Sequence, residues 1–225
     1  MHSTIVRAQN VFGFFTTVAF VVAALIAASD LTVPRAPKAE VTANSVQVVK
    51  GRPHYYSTKK EEYAVIRFTM SADLSSLFTW NTKQVFVWVS ASWPNATSTD
   101  GELSNEAVIW DSIITNPSAD HLMNIGPAAM KKLVKSAKGK SIDPKRGILA
   151  LKNQKPKYQI TAPTGKLAET NDVVLKVHYN VQPWVGVLTW TPQIEFLGWK
   201  KLKGGVSKAF ALPAIKKKET AEKKA

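Results

Sequence analysis

Residues 11–28 read VFGFFTTVAFVVAALIAA, eighteen residues without a charge or a proline. Wound as a helix they extend roughly 27 Å, close to the hydrocarbon thickness of a bilayer. No face of that helix is polar, so a buried core helix of a soluble domain fits it poorly. Arg7 lies before the run and Asp30, Arg35 and Lys38 lie after it. Two readings remain open. One is a cleaved signal peptide, with the small residues Ala27, Ala28 and Ser29 ahead of Asp30 as the cleavage site. The other is an uncleaved signal anchor, favoured because the apolar run is longer than the usual ~7–15-residue signal-peptide core. The short, positively charged tail 1–10 is expected to stay in the cytosol, with the long remainder translocated. Within the span Ala19, Ala23 and Ala27 recur every fourth residue, a stripe of small side chains that lets another helix approach closely.

Beyond a Pro-containing stretch, 29–40, expected to be a juxtamembrane linker, the pattern is that of strands. Ala64, Ile66, Phe68 and Met70 alternate with Tyr63, Val65, Arg67 and Thr69, a period of two with one wetter face. Residues 84–93, QVFVWVSASW, are apolar on both faces near their start, as in a central strand covered on both sides. Residues 107–114 form another run, carrying Trp110. In 172–181, Val173, Leu175, Val177, Tyr179 and Val181 share a face opposite Lys176, His178 and Asn180. Pro183 breaks that ladder, 185–191 continues as the next strand, and a last strand falls within 206–212. Pro127 opens a two-turn helix over 127–134. Six to eight short strands separated by turns predict a mainly β fold, an antiparallel sandwich spanning 41–213 behind one transmembrane helix.

The 225 residues carry 30 Lys and Arg against 16 Asp and Glu, a net charge of +14. Residues 131–157 supply +9 of it and the tail from Lys216 to Ala225 supplies +3, leaving the body nearly neutral. Residues 131–157 therefore read as a solvated Lys-rich insertion, and 214–225 as a basic disordered tail. Aromatic residues are missing from the basic runs apart from Tyr158, so no stacking platform for nucleic acid accompanies the charge. A nucleic-acid partner is not expected.

Catalytic chemistry is tested by elimination. There are no cysteines and four histidines, which show no metal-ligand spacing. His178, in mid-strand, reads as a packed or solvated strand residue. Gly139-Lys140-Ser141 lacks the first glycine of a phosphate-binding loop, since Val134 stands in its place. No nucleophile–base motif occurs, so neither catalysis nor a cofactor is expected. Asn95-Ala96-Thr97 is a glycosylation sequon, compatible with exposure outside the cytosol.

Three stretches carry a resemblance. FTWNTKQVF at 78–86 fits F-x-W-N-x-K-Q-x-F on Phe78, Trp80, Asn81, Lys83, Gln84 and Phe86. WDSI at 110–113 fits W-D-x-I on Trp110, Asp111 and Ile113, and NVQPWVG at 180–186 fits N-V-x-P-x-x-G on Asn180, Val181, Pro183 and Gly186. With the N-terminal anchor they resemble the signal peptidase complex subunit 3 family. The resemblance thins over 123–158 and after Thr191. It implies a β-sandwich-like lumenal domain on a single type II span in the endoplasmic reticulum membrane. It also implies an accessory, non-catalytic part in signal peptide removal, with the catalytic and other membrane subunits of the complex as partners. The S-M-x-P nucleophile motif of signal peptidases is absent. Trp80 and Trp184 are expected to pack in the core rather than face a partner. The competing reading is a secreted β-sandwich binding domain released by cleavage near Ser29.

Overall fold

A computed structural model describes residues 3–95, 104–116, 126–127, 130–131, 134, 146–192 and 194–215. Helix α1 (Thr4–Leu31) holds the whole apolar run. Ser3 caps its start, accepting from the Val6 N–H at 3.4 Å. The only hydroxyls inside the run, on Thr16 and Thr17, both donate to the Gly13 carbonyl, at 2.9 and 3.0 Å. Such back-bonding leaves no side-chain donor to be solvated by lipid. The helix is long and apolar enough to cross a membrane, with a mean hydropathy of 2.4 over its central window.

Two antiparallel sheets follow. One has the order β1-β2-β5, from β1 (Lys38–Gly51), β2 (Glu61–Asp73) and β5 (Ile148–Gln154). The other has the order β4-β3-β6-β7, from β3 (Thr82–Pro94), β4 (Ser104–Thr115), β6 (Val174–Pro183) and the short β7 (Thr189–Trp190). A 3-10 turn (Ser75–Leu77) joins β2 to β3. The inner faces share one core. Ile66, Phe68 and Met70 of β2 meet Val85, Val87 and Val89 of β3 and Leu175 and Val177 of β6 in a single apolar cluster. Between β3 and β4 a bulge at Val89/Ser90 turns both Ile109 and Trp110 inward. The Trp110 ring then meets Phe68 of the other sheet edge-on at 6.1 Å.

The sandwich is closed along both sides. Past β5 the chain crosses to the second sheet, where the Lys157 and Tyr158 N–H groups both donate to the Ile109 carbonyl. On the opposite side, residues 203–212 run between the sheets. Ala39 N donates to Lys203 O at 2.9 Å, and Val177 N donates to Gly205 O at 2.7 Å. Gly204 permits that crossing, since at its φ of +73° a Cβ would lie 2.5 Å from the Ala39 carbonyl oxygen.

Three sequence expectations change. The last strand expected within 206–212 is only a pair of isolated bridges, Lys176↔Val206 and Val173↔Phe210, because the segment is shared between two sheets. The Lys-rich insertion contains a strand, β5, which lies at a sheet edge where its one lysine, Lys152, faces outward and discourages further pairing. The outer face of β3 is not roofed by another layer. It is shielded by its own aromatics: Phe86 stacks on Trp88 and Trp88 on His178, both at 5.3 Å, while Trp190 meets Trp88 edge-on at 5.9 Å. The described residues of the expected helix at 127–134 are helical.

Residues 29–40 form a fitted junction instead of a loose linker. Asp30, in the last turn of α1, receives the Arg35 guanidinium at 2.7 Å on Oδ2 and the Thr79 hydroxyl at 3.0 Å on Oδ1. Arg35 is 2% exposed. It also donates to Thr189 Oγ1 at 3.2 Å and lies over the Trp199 ring, 4.2 Å from its centroid. The backbone joins in: Arg35 N donates to Gly198 O, and Lys200 N donates to Arg35 O at 2.7 Å. Tyr179 borders the site, its phenol pushed up to about 12 by burial against the smaller opposing pull of Arg35.

Two outcomes test this packing by thermal unfolding of the full chain in detergent. Asp30→Asn strands a buried guanidinium and is expected to destabilise by roughly 3 kcal/mol; a loss below about 1 kcal/mol would mean that the charge is not buried in solution. The second concerns Glu62, at an inward position of β2, whose carboxylate accepts from Leu167 N at 2.7 Å and Ala168 N at 2.8 Å. Those two backbone donors, Ala168 first, hold its carboxyl below the usual glutamate range. Its ionised form therefore stabilises the fold above that range, and the contribution disappears as pH falls through the lowered value. Glu62→Ala is expected to lose about 2 kcal/mol at neutral pH, with the gap to the unaltered chain closing below about pH 4. A gap independent of pH would contradict this.

Candidate interaction surfaces

Two of the three motif stretches are brought together at the base of α1, and the third is not. Phe78–Phe86 leaves the 3-10 turn and enters β3, while Asn180–Gly186 ends β6, so antiparallel pairing of β3 with β6 sets Thr82 opposite Pro183. Asn81 is the fastener. Its side-chain amide donates to Val185 O at 2.7 Å, its side-chain carbonyl accepts from Val185 N at 3.1 Å, and its backbone carbonyl accepts from Trp184 N at 2.8 Å. Gln84 Nε2 donates to Gln182 Oε1 at 2.5 Å one step along the pair. Proline at 183 has no N–H for the ladder, so the chain leaves the sheet there and turns back through Gly186. With φ at +129°, a Cβ on Gly186 would sit 3.3 Å from the Ala27 Cβ of α1. The glycine thus lets the turn lie against the helix.

Trp110 and Asp111 are at the far edge of the same sheet. Trp110 is core, and Asp111 Oδ1 pairs with Lys157 Nζ at 3.1 Å. Asn180 is buried, and Phe78 packs partly buried against the core. The expectation that Trp80 and Trp184 are core residues is overturned: their side chains are 62% and 41% exposed. The fold uses their backbones to join two strand ends and turns the indoles outward. Lys83 Nζ lies over the Trp184 ring at 5.3 Å.

Sequence reasoning missed the residues that hold the helix: Asp30, Arg35, Thr79, Thr189 and Trp199. An opposite-charge pair five residues apart immediately after an apolar span was the available signal, and it reads as ordinary flanking charge. Of the alanine stripe, Ala27 meets Gly186 of the chain's own domain, while Ala19 is exposed and Ala23 half-buried. Asn95 is half-buried at the end of β3, and the two other sequon residues lie outside the described residues. His178 is a packed strand histidine, stacked on Trp88 with Nε2 3.0 Å from Glu106 Oε1, which also accepts from Ser90 Oγ.

Two apolar regions among the described residues lie near the helix base and the second sheet. One is the aromatic outer face of β3, β6 and β7. The other is the set of turns around the helix base, with Trp80, Trp184 and Val187.

Comparison with known proteins agrees with this construction. A family model described as "Signal peptidase subunit" matches residues 1–134 and 141–196, across both the helix and most of the sandwich. The protein named "Signal peptidase complex subunit 3" from Saccharomyces cerevisiae is 33% identical over 132 residues, 59% of this chain and 55% of its own length. The chain thus spans about half the length of that curated relative. Proteins of the same name from Yarrowia lipolytica and Homo sapiens are each 27% identical. The first match covers 83% of this chain and 89% of the relative, and the second covers 81% and 78%. With a family match running through the apolar helix, Asp30 and Arg35, and the strand pairing of β3 with β6, this chain belongs to the signal peptidase subunit family.

Proposed function

We propose that this chain is a non-catalytic subunit of the signal peptidase complex. It is anchored in the endoplasmic reticulum membrane by one uncleaved span, with residues 1–10 in the cytosol, span 11–28 and the sandwich in the lumen. It supports removal of signal peptides from nascent proteins by bracing the catalytic subunit at the lumenal membrane surface. The relatives' shared name and the reach of the family match, helix included, support this reading.

The structural observation that carries the mechanism is the junction. A buried ion pair, a cation–π contact and two backbone hydrogen bonds tie Arg35 to α1 on one side and to residues 189–200 on the other. A domain joined to its span in this way keeps a set height and tilt above the bilayer. That is what orienting a neighbouring subunit's cleft requires, since placement alone lowers the barrier by removing unproductive arrangements. The role needs contact area rather than reactive groups. The aromatic outer face of β3 and β6 offers that area, and the open part of the helix stripe, Ala19 and Ala23, offers close approach to a second helix. Release of a secreted domain by cleavage near Ser29 is not supported: α1 runs unbroken past that point to Leu31, and Asp30 beyond it is part of the junction.

Purification in mild detergent of the full chain, tagged after Ala225, from its own membranes is expected to bring down a signal-peptidase catalytic subunit in near-equal amount. The peptide containing residues 11–28 should be intact by mass spectrometry. A chain that emerges alone, or trimmed near Ser29, would overturn the assignment. Lumenal exposure is checked independently at Asn95. The chain is expected to shift in mobility on endoglycosidase treatment and Asn95→Gln to abolish the shift; a chain that never shifts would remove Asn95 as a glycosylated residue.

A further inference from the structure

The domain surface beside α1 is more apolar than a solvated surface requires. Val187 is 80% exposed, Ile194 79%, Phe196 61% and Trp190 60%, with Leu188 and Leu197 also exposed. Trp190 ends β7 itself, and the others lie on the two turns that flank it, around 184–188 and 194–199. An exposed apolar cluster of this size on one side of a domain marks a surface that is covered in use.

Both turns are fixed at the depth of the helix end. The first touches Ala27 through Gly186, where a Cβ would come within 3.3 Å. The second touches the junction, where Gly198 accepts from Arg35 N at 3.2 Å and a Cβ on Gly198 would lie 3.4 Å from Pro34 Cβ. The charge-free run 11–28 is about as long as the hydrocarbon layer is thick. Ala27 therefore lies at the hydrocarbon boundary, and a turn in contact with it lies at that boundary too. Lys200, Lys201 and Lys203 follow these turns along the chain, and Lys83 lies over Trp184. Apolar tips with tryptophans and lysines in the same stretch, the lysines long enough to reach lipid phosphates, are the side chains expected at the interface between acyl chains and headgroups.

We propose that the turns place Val187, Leu188, Ile194, Phe196 and Leu197 in the headgroup–acyl boundary of the leaflet where α1 ends, with Glu195 left among the headgroups, so that the domain grips the bilayer at a second place beside its span. The occupant of this surface is lipid. Its continuity with the span selects lipid over a protein partner, because any membrane that holds α1 through Ala28 also covers a turn packed on Ala27. The inference needs the span alone and stands apart from membership of any complex.

The chain has no cysteine, so single labels are available. The full chain carrying Val187→Cys with an environment-sensitive fluorophore is reconstituted in phosphatidylcholine vesicles containing phosphatidylcholine spin-labelled near the top of its acyl chain. Ala28→Cys marks the end of the span, and Tyr55→Cys marks an exposed site in the β1–β2 connection. Spin-labelled lipid is expected to quench the label at 187 to within about twofold of that at 28, and to leave 55 bright. Aqueous iodide is expected to quench 55 and spare 187. A label at 187 that behaves like 55 would overturn the insertion, and so would one shielded from both quenchers, which would mean that protein covers it. Failure at 28 and 187 together would overturn both the insertion and the span.

Discussion

A guanidinium that is 2% exposed, five residues beyond the Asp30 it pairs with in the last turn of α1, needs compensation, and here both terminal nitrogens have it while the buried Nε has no hydrogen-bond partner. Desolvating an ion of that size costs several kcal/mol, and a single counter-charge rarely returns it. Arg35 has Asp30 on one edge, Thr189 on another and the Trp199 ring against its plane, and its own N–H and carbonyl are paired with 198 and 200. Asp30 in turn receives Thr79 as well as Arg35. The set draws on α1, the segment before β1, the turn before β3, β7 and the segment after β7. These separate parts of the chain meet at one point, and the relation of helix to sandwich follows from it.

Much of the architecture could be read directly from residue patterns. The alternation in β2 and β6 is a period-two signal with an apolar face, and the residues so assigned are the buried ones, from Ile66 and Phe68 to Val177 and Val181. The apolar span needed only its length. Less legible was anything set by pairing between distant segments. β1 has a weak alternation because a bulge at Ala43/Ser45 shifts its register, and β5 is masked by the Lys-rich run around it, with Lys152 outward at a sheet edge. The shielding of the β3 outer face depends on Trp190 arriving from another strand, which no local window contains.

The motif residues were informative in a different manner from the one their chemistry suggested. Tryptophan flanked by amides invites assignment to a core, yet Trp80 and Trp184 face outward while Asn81 between them is 2% exposed and fully engaged. A buried amide with donor and acceptor both satisfied specifies one geometry and rejects neighbours that cannot match it. Asn81 closes the pairing of two strand ends and fixes the turn that touches the helix. The indoles beside it are then free to meet whatever lies outside. A motif can thus combine an internal fastener with an external contact, and sequence alone does not separate the two roles.

The separation along the chain between Arg35 and Thr189, 154 residues, has a consequence for biosynthesis. During translation the helix leaves the ribosome well before the residues that receive Arg35, Thr189 and Trp199, are made. Through most of synthesis the arginine stays in water beside the membrane and the early strands have no partner for their open sides. The strap at 203–212, which bonds to both β1 and β6 at the rim, comes later still. Contacts of such long sequence range form slowly. The nascent protein therefore passes through a long period as a tethered, unfinished sandwich, and the orientation of its domain above the bilayer is acquired only once residues 189–199 have been made.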